Sequence, residues 1–150
     1  MTINVNNQQV EAYDLLLQKK YALDIIQGKK KIEVRSFSDH YISRFLDKEV
    51  MKRNDANNRK PFDDDYENEI REDVQYIHFH NYNNSWYLDV AIEGIGMCVV
   101  DSQDIEPLAE DFPEMAAYLP DAKKNDELPE EDKPMIFYIV LAEVVGHNVK

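Results

Sequence analysis

Within Gly28-Lys29-Lys30-Lys31-Ile32-Glu33-Val34-Arg35, an ammonium, a carboxylate and a guanidinium follow one another at spacings of three and two residues. Guanidinium forks grip oxyanions with two hydrogen bonds and an ammonium supplies a mobile point charge, so Lys30 and Arg35 together suit a phosphate or a carboxylate. Glu33 has the side chain of a general base that could activate a water. The bland use of the same residues is an ion pair between Glu33 and Arg35 on one exposed strand face, which contributes little.

His78 and His80, in Tyr76-Ile77-His78-Phe79-His80, share a strand face at a spacing able to chelate a metal, with a third ligand required from afar, for example His40 or Glu143. Hydrogen-bonded or solvated strand histidines are the commoner case, and neither a metal nor a cofactor is expected. Tyr76, Tyr82, Trp86 and Tyr87 could stack bases on a sheet surface, with Tyr82 and Trp86 as the stacking candidates, although aromatics in a hairpin more often pack a core. Ser38-Asp39-His40 holds the residue types of a hydrolytic triad, but neighbours in sequence rarely form one.

These side chains need elements to hold them. Residues 1 to 9 are polar and rich in Asn and Gln, and read as a loose arm. Glu11 to Leu17 ends in an apolar run suited to a buried strand, with a first helical turn as the alternative. From Lys19 to Gln27, Tyr21, Ala22, Ile25 and Ile26 mark one face of a short helix that Gly28 ends. Lys19 and Lys20 stand at the wrong end of that helix for its dipole, whereas Lys29 to Lys31 suit the other end. Lys31 to Phe37 alternates, with Ile32 and Val34 on one face and Glu33 and Arg35 on the other, and reads as a strand. Ser38 is placed to cap a helix running from about Asp39 into the Arg53 region. Residues 54 to 72 lack periodicity and read as a mobile surface insertion.

A hairpin is expected from Val74 to Tyr82 and Ser85 to Ile92 around Asn83-Asn84, with Gly94 and Gly96 marking a bend or bulge before a strand at Met97 to Val100. Ser102 can cap a helix through about Glu110, and a second short helix follows from Pro113 through Tyr118. Pro120 to Lys133 is acidic and rich in breakers, hence a loop. Met135 to Val145 is apolar and β-branched enough for a central closing strand, with Glu143 as an interior exception. Five or six strands and three or four short helices, in an order unlike βαβ repetition, predict an α+β fold: a small, partly open, mostly antiparallel barrel with helices on its flank.

The segment Leu15-Leu16-Leu17-Gln18-Lys19-Lys20-Tyr21-Ala22-Leu23-Asp24-Ile25-Ile26-Gln27-Gly28-Lys29-Lys30-Lys31-Ile32-Glu33-Val34-Arg35 resembles the opening of ASCH domains: an apolar strand, a short helix, then Gly-x-Lys-x-x-Glu-x-Arg leading into the next strand. The close match spans about 21 residues, and the later elements agree only in order. The resemblance implies a PUA-like barrel with a cleft beside the motif and a link to RNA or nucleotide binding. It makes Gly28 the turn, Lys30 the cleft lysine, Glu33 the cleft acid and Arg35 the strand arginine, and Tyr21 on the preceding helix completes the ligand-binding set. ASCH members that resemble amidohydrolases of modified cytidine carry a threonine nucleophile where this chain has Glu33. That activity is therefore not implied, although a carboxylate-activated water remains a route to hydrolysis, with Glu33 and Lys30 as its catalytic pair.

The 150 residues suit one domain, whose 43% apolar content is enough for a single core. The start Met-Thr-Ile-Asn-Val-Asn-Asn resembles no secretory signal and no apolar run approaches a membrane-spanning length, so no membrane contact and a cytoplasmic location are expected. The lone Cys98 sits in an apolar run and reads as a buried small hydrophobe. A net charge of −13 argues against polyanion binding as a whole. Its distribution argues less strongly: residues 19 to 60 hold twelve basic and six acidic residues, whereas 101 to 132 hold twelve acidic residues against Lys123 and Lys124. Screening over roughly 8 Å lets a basic face attract an anion locally. The leading expectation is a binding module for RNA, a nucleotide or another small anion, in which removing Lys30 and Arg35 leaves thermal stability nearly unchanged. The alternatives are a hydrolase of modified nucleosides or RNA, and an acidic interaction domain that offers residues 101 to 132 to a basic protein.

Overall fold

A computed structural model describes all of residues 1–150. Asn6 and Asn7 both adopt positive φ, 51° and 65°, as a two-residue hairpin turn requires. They fold β1 (Thr2–Val5) onto β2 (Gln8–Glu11) as an antiparallel pair, so the first nine residues form a hairpin arm rather than a loose tail. Ile3 tethers that arm by being buried.

The main sheet comprises β3 (Tyr13–Leu16), β4 (Ile32–Ser36), β5 (Tyr76–His80), β6 (Tyr87–Val99) and β7 (Met135–His147), in the order β3-β5-β6-β7-β4. All neighbours are antiparallel except β3 with β5. β3 and β4 are the two edges of this order, yet Arg35 on β4 donates to the carbonyl of Leu16 on β3 at 2.7 Å. Edges that meet across one side chain require a sheet curled into a partly open barrel, the expected α+β architecture. Gly94 and Gly96 do not interrupt β6. The strand runs through them with register shifts from Asp89 to Gly94, and the ring of Tyr138 on β7 occupies the space that a Cβ on Gly96 would fill.

The helices follow their capping chemistry. α1 (Lys19–Ile26) buries Ala22 and Ile25 and ends at Gly28, whose φ is 77°. The single helix expected from Asp39 is two, α2 (Asp39–Phe45) and α3 (Lys48–Ala56). Asp47 accepts hydrogen bonds from the amides of Glu49 and Val50 and thereby starts a new helix, while Leu46 turns extended and bridges to Ile70. Residues 54 to 72 are fastened at both ends: buried Asn54 donates to the Glu67 carbonyl at 2.8 Å, and the Asp47 amide donates to Glu69 at 2.7 Å. The stretch expected as an acidic loop contains α5 (Leu119–Asn125) and a 3-10 turn at Glu130–Asp132, because Pro120 sits in a first turn that tolerates it and Ala122 is fully buried. α4 (Ser102–Asp111) and a 3-10 segment, Pro113–Tyr118, lie where expected, although Asp101 rather than Ser102 caps α4. No helix is long and apolar enough to cross a membrane.

Two cores result. The larger fills the barrel around Phe45, Phe79 and Phe137; the smaller joins Ile32 and Cys98 to Ile105, Met115 and Ala122 beneath the C-terminal helices. Burial, reinforced by the charges of Asp104 and Asp101, pushes the Cys98 thiol up to about 12. Iodoacetamide at pH 8 should therefore alkylate native Cys98 about a thousandfold more slowly than the unfolded chain, since only thiolate reacts. A rate within tenfold of the unfolded value would contradict this packing.

Candidate functional site

After α1, the amides of Lys29 and Lys30 both donate to the Asp24 carbonyl, at 2.8 and 3.1 Å, and Gly28 turns the chain into β4. Pairing of β4 with β7, Glu33 opposite Ile139 and Arg35 opposite Phe137, then fixes which side chains share a face. Ile32 enters the small core. Glu33, on the other face, is only 8% exposed.

Two cations converge on that carboxylate. Arg35 Nη2 donates to Glu33 Oε2 at 3.0 Å, while Lys30 Nζ stands 3.5 Å from Oε1, which also accepts from the Val34 amide at 3.2 Å. Each cation is committed elsewhere as well. Lys30 Nζ donates to the Ile32 carbonyl at 2.7 Å and to Glu114 Oε1 at 3.3 Å, and lies 5.4 Å from the centre of the Tyr21 ring. Arg35 reaches the Tyr41 hydroxyl at 2.9 Å in addition to Leu16. Arg35 is thus a clamp across the barrel seam, and the expectation that its removal spares stability does not fit these contacts.

The seam clamp has a backbone logic. Leu17 donates its amide to His80, so alternate residues of β3 face β5 and the carbonyls of Asp14 and Leu16 point to the open edge. Arg44 takes the first at 2.8 Å and Arg35 the second. An edge that would otherwise template pairing with another chain is closed by two guanidiniums.

Beside Glu33 opens a hollow of about 470 Å³. Lys30, Glu33 and Lys29 contribute to its floor, Tyr21 comes from α1, and Glu114, Met115 and Tyr118 come from the 3-10 segment. Arg35 is not among its lining residues. Lys29 and Lys30 there face Asp24, Glu33 and Glu114, so the hollow is no net anion trap. Burial first, then the charge of Glu33, raises the Tyr118 hydroxyl above its ordinary range. Asp24, Glu114, Tyr118 and Tyr41 carry no local signature; Glu114 lies 84 residues from Lys30 and meets it only through the fold.

The other candidates lie apart. Trp86 is buried and Tyr82 exposed, and both line a separate hollow at the start of α1. His78 pairs with Asp89 at 2.5 Å; His80 binds the Asn81 carbonyl through Nδ1 and Asp14 through Nε2. His40 packs its exposed ring on Tyr41, Glu143 is exposed on β7, and no three His, Cys, Asp or Glu side chains converge. Ser38 bonds Ser36 rather than His40, so the three triad-type neighbours do not assemble. Most acidic residues from 101 to 132 face solvent, on α4 and α5 and in the turns that follow them, with Asp101 buried against Lys133.

No family model matches the chain, and no curated protein or solved structure matches it.

Proposed function

We propose that the chain is a binding domain of the ASCH, PUA-like kind that holds a mononucleotide-like ligand in the hollow beside Glu33. The observation that carries this reading is a buried carboxylate, oriented by Arg35 and Lys30, at the floor of a cleft with tyrosines from two different elements. A carboxylate in that setting accepts hydrogen bonds from an amine or ring N–H, Tyr118 donates, and Tyr21 offers a ring face to a base. Lys29, exposed at the cleft, is free to meet a phosphate. RNA suits the cleft less well, because three carboxylates oppose a run of phosphates. The hydrolase alternative finds less support: Glu33 Oε1 already takes the Val34 amide and faces Lys30, and Oε2, the oxygen with room left, is shared with Arg35, an arrangement suited to accepting a hydrogen bond rather than to taking a proton from water.

Titration of the four common nucleoside monophosphates, followed by amide shifts, tests this reading. Shifts should cluster at Lys29 to Val34 and Met115 to Tyr118. Lys29→Ala should weaken a bound monophosphate about tenfold yet leave the matching nucleoside unchanged, as loss of one phosphate contact predicts. No saturable shift in either segment with any of the four would sink the reading.

A further inference from the structure

α1 begins badly for an isolated helix. Gln18, its N-cap residue, makes no side-chain capping bond, the first turn holds no acidic residue, and Lys19 and Lys20 occupy the end that disfavours cations. The amides of Lys19 and Lys20 donate to no protein atom; the first donors of the helix are Tyr21 and Ala22. A local conflict of this kind marks a position held for something other than stability.

A second observation points to what is held. Beside this helix start lies a hollow of about 620 Å³, walled by Leu16, Leu17, Tyr82 and Trp86. Trp86 is only 8% exposed, yet its indole N–H donates to no protein acceptor. That N–H is not sealed inside, since the Tyr13 hydroxyl is the one fully enclosed side-chain polar atom without a partner. Trp86 itself lines the hollow.

Of the remaining polar lining, the Gln18 amide forms no capping bond, whereas Asn81 and Ser85 are bonded to each other. Asn81 Nδ2 donates to Ser85 Oγ at 2.6 Å, and Asn81 Oδ1 receives the Trp86 amide at 3.3 Å. Lys19 is the only charged residue of the lining, in a chain of net charge −13, and the indole N–H and the uncapped helix amides beside it are donors without protein acceptors. Tyr82, 86% exposed, and Leu16, 54% exposed, supply apolar surface on either side.

We propose that this hollow is a second, separate site that binds a planar aromatic carboxylate, with the ring against Tyr82, Leu16 and Trp86 and the carboxylate on Lys19 and the start of α1. The anion supplies the charge that the helix start lacks, and its oxygens accept from donors that no protein group satisfies. A ring fills a slot with aromatic and leucine walls better than a flexible chain, because it gives up less rotamer freedom on binding. Nothing in this site is shared with the hollow at Glu33, so each stands or falls alone.

Trp86 is the only tryptophan, so its emission reads this hollow directly. Benzoate added to the full chain should change that emission saturably and shift the amides of Lys19 and Lys20. Benzyl alcohol, its neutral counterpart, should produce neither effect. Lys19→Gln should weaken benzoate by about fivefold or more, as removal of one charge-assisted contact predicts. Tyr82→Ala, at a solvent-facing position that leaves the fold intact, should weaken it similarly. A linear, unsaturable response, equal binding of benzyl alcohol, or no effect of Lys19→Gln would overturn the proposal. Tighter binding of phenyl phosphate than of benzoate would overturn the carboxylate assignment.

Discussion

Phe45→Ala should lower stability by about 4 kcal/mol, the cost of a large cavity in a rigid core. Phe45 is fully buried, meets Tyr13 and Phe137 edge-on with ring centres 5.0 and 5.2 Å away, and stacks on Tyr41 at 5.5 Å. It joins three elements, β3, β7 and α2. The effect reaches the seam, because α2 also carries Tyr41, which accepts from Arg35, and Arg44, which covers the Asp14 carbonyl. Urea unfolding with an unchanged slope, and hydrogen exchange that accelerates in β3 and α2 before the remainder, is the expected outcome. Phe62 supplies the contrast: fully exposed with a φ of 79°, it should tolerate alanine within about 0.5 kcal/mol. Comparable losses at the two phenylalanines would mean that the barrel core is not organised around Phe45.

What the sequence displayed locally, the fold kept. Alternation in Ile32 to Arg35 correctly separates an apolar face from a polar one, and the apolar, β-branched run from Met135 onward is the strand that pairs with both β4 and β6. Two errors came from capping chemistry that was present but outweighed by composition. Asp47 is a competent N-cap within an apparently continuous stripe, and Pro120 is a helix starter within a stretch that looks like breakers. The N-terminal arm failed similarly, since Asn6-Asn7 is a pair able to take positive φ between two strand-length segments.

The site was legible only in its covalent half. Lys30, Glu33 and Arg35 sit close in sequence, so their convergence needs only a turn and a strand. Their partners do not. Glu114, Tyr118, Tyr41 and the Leu16 carbonyl reach them through sheet curl and helix packing, and no periodicity encodes which carbonyl an arginine will find. Charge patterning misled in the same way. A basic early segment suggested an anion-binding face, but the fold brings Glu114 from the acidic half onto Lys30 and neutralises the cleft.

That neutralisation makes Glu33 the residue on which site and fold both turn. Glu33→Gln keeps the volume and most hydrogen-bonding shape but removes the charge facing two cations whose side chains are only 13% and 16% exposed. Removing one partner from a buried ion pair costs about 3 to 5 kcal/mol in general. Here Arg35 keeps Leu16 and Tyr41, and Lys30 keeps Ile32 and Glu114, so the expected loss sits at the lower end, about 3 kcal/mol. A cycle separates charge from shape. Lys30→Met should cost less in the Glu33→Gln background than in the native chain, with a coupling of about 1 to 2 kcal/mol from urea unfolding of the four proteins. High salt should change that coupling little, since partly buried pairs are weakly screened. Additive losses would show that Lys30 and Glu33 do not sense each other, and the cleft floor would then lack the oriented carboxylate on which the proposed ligand recognition rests.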